Sequence, residues 1–284
     1  MANIFQDLKR HYKYGGILQK LLFWNIGVSI VFFIFEALHS SISQKFFYWA
    51  VLSSDYRDFI YKPWTLLTYS FIHAGIVHLI LNMLVLYFVY QLFRTFFNDK
   101  QFLTCYLLGA MVGGIFFLIG SLFLPVGSVL VGASAAVIAP LIGLVTYSPN
   151  MEVRLMLVGR VKIWYIAAFI ILLDIIQLSS SNIGGHLAHL GGAFMGFVYI
   201  KLVKEGKDLS VIFDRIANLF KRKKGTPFKK VYVNKKPKKT SANGNEDFLK
   251  QQKIDIILDK ISKSGYESLT KEEKAFLFRS GKEE

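Results

Sequence analysis

Six stretches of this chain are apolar over most of the length a membrane-spanning helix needs, and no other feature limits the possible folds as strongly. A helix rises about 1.5 Å per residue and the hydrocarbon layer of a bilayer is about 30 Å thick, so a span takes roughly 20 mostly apolar residues. The stretches run approximately over 17–38, 72–93, 102–124, 134–148, 163–178 and 186–203. The fourth is short, and the sixth opens with glycines and histidines. With 53% hydrophobic residues and 26 Phe in 284 residues, the chain carries more apolar surface than a soluble domain of this size buries. The expected class is all-α: a polytopic membrane protein. The first stretch reads as a retained helix and not as a cleaved leader, because its apolar run is too long and further spans follow.

The cations set the expected orientation. Lys9, Arg10 and Lys13 precede the first span, Arg94 and Lys100 follow the second, and Arg154, Arg160 and Lys162 follow the fourth, all on one side of the bilayer. The opposite side has no Lys or Arg in 124–133 or 179–185, and in the long first loop Asp55 and Asp58 offset Lys45, Arg57 and Lys62. By the positive-inside rule both termini are expected to be cytoplasmic, in the plasma or inner membrane. The first loop, 39–71, holds Phe46, Phe47, Tyr48, Trp49 and Trp64, aromatics suited to the headgroup boundary, and is expected to lie partly in the membrane.

Four regions follow: an N-terminal segment 1–16, a membrane domain 17–203, a basic linker 204–245 and a small helical module 246–284. Residues 204–240 hold 13 Lys and Arg against 3 Asp and Glu, interrupted by Pro227 and Pro237. Beside a cytoplasmic helix end such a run pairs with anionic lipid, each cation contributing about 1 kcal/mol; nucleic acid is not expected. In the terminal module Phe248, Ile254, Ile257, Leu258 and Ile261 recur at helical spacing, and Thr270 with Glu273 fits a capping box opening a second helix. A single cysteine, Cys105, excludes an intrachain disulfide.

Polar side chains inside spans need a reason, since a charge at the bilayer centre costs at least about 2.5–3.5 kcal/mol on insertion scales. His78 and Asn82 stand at i and i+4 on one face of the second span, where either a shared hydrogen-bonding target or plain helix–helix bridging would account for them. Ser134 follows Gly132 and Ala133 at the start of the fourth span. There free N–H groups and the helix dipole favour negative charge, although a serine opening a helix is ordinarily an N-cap. In the sixth span His189, Gly192 and Gly196 share a face, and Ala135, Ala139 and Gly143 offer a matching small-residue face in the fourth. If those faces meet, His189 approaches Ser134, and an imidazole beside a serine can accept its proton. His186, three residues earlier, lies on a similar face. It is expected nearer the extracellular rim, in water or holding the 179–182 loop, so His189 is the expected base.

These motifs, H-x-x-x-N in the second span, G-x-S-A opening the fourth and H-x-x-G-x-x-x-G in the sixth, resemble those of the rhomboid intramembrane serine proteases, over about residues 15–203. The resemblance implies a six-transmembrane-helix bundle and a catalytic dyad of Ser134 and His189 without an aspartate. It further implies an oxyanion site formed by His78, Asn82 and the Ser134 N–H, no cofactor or metal, and transmembrane proteins as substrates. Gly132 would let the preceding loop approach substrate, and His73 matches a further family histidine that would orient the first loop. One departure is Trp64 followed by Thr65 where the family commonly has Trp-Arg. Arg57 is the expected substitute.

Other classes fit less well. A zinc protease would need a carboxylate beside the membrane histidines, and no Glu adjoins His73, His78, His186 or His189. A transporter would be expected to show an inverted repeat, and Glu36 and Asp174 are the acidic residues within the spans. A non-catalytic membrane adaptor would keep the fold without needing the Ser134 hydroxyl.

Overall fold

The computed structural model describes residues 3–38, 41–123, 128–155, 158–179, 182–211 and 243–281. The chain divides into two compact units, 1–222 and 223–284. Most of the expected basic linker, 212–242, lies outside the described residues.

In the first unit an amphipathic helix α1 (Ile4–Tyr14) precedes α2 (Ile17–Ala37), the first apolar helix. The first loop then folds into α3 (Ser41–Ala50), β1 (Leu52–Ser53), α4 (Tyr56–Tyr61) and α5 (Thr65–Thr68). Five further helices follow: α6 (Ile76–Phe93), α7 (Asp99–Gly120), α8 (Ser134–Tyr147), α9 (Ile163–Ile176) and α10 (Ile183–Lys204). Of these apolar helices α2, α6, α7 and α10 are long enough to cross a membrane, whereas α8 and α9 have 14 residues each. At 1.5 Å per residue that is about 21 Å, short of the hydrocarbon thickness.

The centre of the unit is α10 packed on α7 and α8. The small faces expected from spacing meet here: a methyl at Gly192 would run into the Ala135 carbonyl, and one at Gly196 into the Ala139 carbonyl. Gly109 and Gly113 of α7 receive the methyls of Ala139 and Ala135 from the other side. Consequently α8 is enclosed, with Ala135 to Leu141, Gly143 and Leu144 all buried, and its first residue, Ser134, is half-buried. In contrast α9 buries only Ile163, Ala167 and Asp174.

The fold is mostly helical, as expected, with short strands added to the helices. Among the described residues two antiparallel ladders accompany the helices: β1 pairs with β2 (Val129–Leu130), and β3 (Glu152–Leu155) pairs with β4 (Gly159–Lys162). Strands of two to four residues are too short to leave an alternating pattern in the sequence. The first ladder matters for the site, since it ties the first loop to the segment leading into Ser134.

Helix starts also differ from the apolar boundaries. Polar caps extend α7 back to Asp99, where Asn98 and Gln101 form a capping box, and α10 back to Ile183, where the Asn182 side chain accepts from the Gly185 N–H. The second helix begins at Ile76, four residues later than expected, because Ile72 to Gly75 are not helical.

In the second unit α11 (Asn243–Ser264) and α12 (Lys271–Ser280) form a helical pair around buried Ile257 and Leu269. Thr270 and Glu273 make the expected capping box, and Lys260 pairs with Glu273 at 2.9 Å. The Lys260 ammonium, followed by the Thr270 N–H, holds the Glu273 carboxyl below its usual range. Phe248 and Leu258, expected on the apolar face, are exposed.

Candidate active site

Ser134 is the first residue of α8, and the N–H groups of a helix's first turn lack intrahelical acceptors. Its Oγ lies 2.7 Å from His189 Nε2. The imidazole comes from α10 one turn before Gly192, so the contact depends directly on how closely α10 approaches α8.

The segment before Ser134 is irregular backbone within an apolar bundle, which is tolerated only where its polar groups find partners. The Gly132 N–H donates to the Tyr69 carbonyl at 3.1 Å, and the Ala133 N–H points to His73 Nε2 at 3.5 Å. Gly132 has φ of +112°, a backbone region that side chains disfavour, and a methyl there would also strike the His78 ring. Its glycine is therefore required by the loop's own conformation and by His78, before any substrate is considered.

His73 is fully buried, and through Ser29 it is connected to Phe71 at the end of the first loop. Its Nδ1 is 2.9 Å from Ser29 Oγ of α2, and Ser29 in turn donates to the Phe71 carbonyl at 3.2 Å. With Nε2 accepting from Ala133, Nδ1 carries the proton and donates to Ser29. His73 thus links α2 to the loop that presents Ser134, standing edge-on to the His78 ring at 5.2 Å.

The first loop is organised instead by Lys62, and Arg57 does not stand in for the missing arginine. Lys62 is 2% exposed; its ammonium donates to the Tyr48 carbonyl at 3.0 Å, pairs with Asp58 at 3.3 Å and lies 3.3 Å above the Tyr48 ring. Thr65 is buried and donates to the Lys62 carbonyl at 2.6 Å. Trp64 stacks on Trp49 and donates to its carbonyl at 2.9 Å. Arg57 is exposed and faces Tyr56.

Two cavities meet at Ser134. One, of about 310 Å³, opens between α6 and α9 and is lined by Leu81, Val85, Ile170 and Leu173 along with Asn82, Ser134 and His189. The other, of about 660 Å³, is more polar and is bordered by Glu36, His78, Asn82, Asn182, Ser134 and His189. Asn82 faces both, and its Nδ2 donates to the His78 carbonyl at 2.9 Å, which leaves its other amide hydrogen available to the cavity.

His186 is not at a wet rim. It is buried, and its Nδ1 lies 2.8 Å from Asp174 Oδ1 of α9, an oxygen also 2.7 Å from His189 Nδ1. Spacing along α10 could place His186 on the right face but could not report its depth, which a carboxylate on another helix sets. Asp174 is the site residue that sequence reasoning missed, although a buried acid in a span was itself the signal. Ligand atoms of Asp174, His186 and His189 lie within 4.8 Å of one another, a set chemically suited to a small divalent cation as well as to hydrogen bonding.

Residues 61–205, which include every site residue above except Ser29, Glu36 and those of the first loop before Tyr61, match the Rhomboid domain, and the chain belongs to the rhomboid family. Residues 245–282 match a family of unknown function, DUF6576. Over 159 residues the chain is 30% identical to RHOMBOID-like protein 12, mitochondrial, of Arabidopsis thaliana. That alignment covers 50% of this chain and 47% of the relative, so the chain spans about half the relative's length. Family, apolar helices and site together define a rhomboid-type membrane protein.

Proposed function

We propose that this chain is an intramembrane serine endopeptidase that hydrolyses peptide bonds in or near transmembrane segments of membrane proteins, with Ser134 as nucleophile and His189 as general base. The observation that carries this reading is the 2.7 Å contact between Ser134 Oγ and His189 Nε2 at the first turn of an enclosed helix. A helix-capping serine has no need of such an imidazole, and an adaptor has no need of the pair.

The Ser134 oxygen attacks the scissile carbonyl as its proton passes to His189 Nε2, giving a tetrahedral oxyanion and an imidazolium. The Ser134 N–H, the Asn82 amide and the His78 ring are the donors that would face that oxyanion. His189 then returns the proton to the departing amine, leaving an acyl ester on Ser134. A water, deprotonated by the same imidazole, cleaves the ester and restores the serine. The apolar cavity between α6 and α9 suits entry of a substrate segment from lipid, and the polar cavity suits water. No step calls for a cofactor.

In the proposed arrangement six helices cross the bilayer and both termini are cytoplasmic, since the flanking cations cluster on that side. The basic segment after α10 then lies beside anionic headgroups.

Cleavage of single-span test proteins by the purified chain in liposomes tests the reading. Product formed between residues at or near the span supports it, and a folded protein that cleaves none of a varied substrate panel contradicts it. Within that assay Asn82→Ala is expected to lower turnover about 10²- to 10³-fold, the effect of losing one oxyanion donor in a soluble serine protease. An unchanged rate would leave Asn82 with only its bond to the His78 carbonyl.

A further inference from the structure

Asp174 is the one polar residue that α9 buries, and its side chain is 5% exposed. A carboxylate so placed accepts hydrogen bonds and offers none, so the two imidazole nitrogens beside its Oδ1 must both arrive as N–H groups. That requirement fixes His189 chemically. With the proton on Nδ1, a neutral His189 presents an unprotonated Nε2 to Ser134, which is the form a general base needs. The two contacts lie on opposite nitrogens of one ring, 2.7 Å each, so the carboxylate, the imidazole and the hydroxyl form a continuous chain.

We propose that Asp174 is a positioning residue for His189: it holds the Nδ1–H tautomer, fixes the ring toward Ser134 and balances the imidazolium that forms when Ser134 is deprotonated. The inference rests on the protease reading above and extends the pair to a Ser134–His189–Asp174 triad. His186 is the second clamp, donating to the same Oδ1 and keeping the carboxylate turned toward α10. Asp174 gives up no proton and takes none; the proton from Ser134 stays on Nε2 until it passes to the leaving amine. The other carboxylate oxygen, Oδ2, is buried with no hydrogen-bond partner among the described residues, and Asp174 as a residue borders the α6–α9 cavity.

The test uses the full chain in liposomes with a single-span substrate, active sites being counted by fluorophosphonate titration. Asp174→Asn keeps the side chain's shape but allows its amide to donate to Nδ1, which favours the wrong tautomer. It is expected to lower kcat per active site at least about tenfold, with KM little changed and the labelling rate of Ser134 falling in parallel; the corresponding loss in a soluble triad reaches about 10⁴. His186→Ala removes the second clamp on the carboxylate and is expected to lower kcat per active site by less than Asp174→Asn does. A wild-type kcat for Asp174→Asn would overturn the proposal, as would a variant whose stability falls while kcat per active site does not, since that pattern belongs to a purely structural anchor. Should the variant fold poorly, ¹⁵N spectra of the wild-type histidines decide: His189 as the Nδ1–H tautomer supports the proposal and the Nε2–H tautomer overturns it. Activity abolished by 1,10-phenanthroline and restored by zinc would overturn it too, by assigning the Asp174, His186 and His189 cluster to a metal. Cleavage that survives Ser134→Ala would instead bring down the protease reading itself, a result separable from a dead Ser134→Ala beside a fully active Asp174→Asn.

Discussion

Ser134→Ala is expected to abolish substrate cleavage while leaving the folded protein almost unchanged. The substitution removes one hydroxyl and adds no volume at a half-buried position whose hydrogen bond is made to His189 alone among the described residues. Loss of a single such bond changes stability by about 1 kcal/mol. Loss of the nucleophile in a soluble serine protease lowers kcat by roughly 10⁶, which in a membrane assay is indistinguishable from zero. Thermal unfolding in detergent should therefore show wild-type and variant curves within a few degrees, and the cleavage assay should show product only with the wild type. Residual turnover above background would remove Ser134 from the mechanism.

The second large effect comes from packing and not from chemistry. Gly192→Val should damage fold and activity together, because the β-carbon it introduces occupies the space of the Ala135 carbonyl, which is helix backbone and cannot rotate away. Overpacking typically costs 1–3 kcal/mol, and a clash with backbone across a helix pair belongs at about 3 kcal/mol or above. As α10 is pushed off α8, His189 moves with it, one turn from the clash, and loses Ser134. Gly27→Ala is the matched control: a β-carbon there meets nothing within 4 Å, and alanine is the better helix former. Unfolding temperature and cleavage rate measured on both variants check the expectation, and a stable, active Gly192→Val would mean that the two helices are not held this closely.

Why some of this could be read from the sequence and some could not follows from the range of each signal. Helical periodicity is local, so the glycine face of His189, Gly192 and Gly196 and its counterpart on Ala135, Ala139 and Gly143 were evident, and from them the approach of His189 to Ser134. The same reasoning had no access to depth. It placed His186 nearer the rim, in water or holding the 179–182 loop, whereas His186 is buried against a carboxylate on a neighbouring helix. It weighed Asp174 only as one of the acidic residues a transporter could use, because 15 residues and a connection between helices separate it from His189.

The first loop shows a second kind of limit. Its aromatics were visible, but which cation organises them depends on tertiary contacts that no spacing encodes. Arg57 was the expected candidate on chemical type, yet Lys62 holds the Tyr48 carbonyl, Asp58 and the Tyr48 ring together, with Thr65 bonded to the Lys62 carbonyl. His73 was likewise recognisable as a residue of interest, and its partners Ser29 and Ala133 were not, since they lie 44 residues before it and 60 residues after it in the chain.

The most direct test of the account is to treat the reconstituted protein with a fluorophosphonate and locate the adduct by mass spectrometry. The account predicts one adduct, on Ser134, formed by the wild type and lost in His189→Ala, because Ser134 is nucleophilic only while that imidazole accepts its proton. An adduct on another residue, or labelling of Ser134 that is undiminished in His189→Ala, would contradict it.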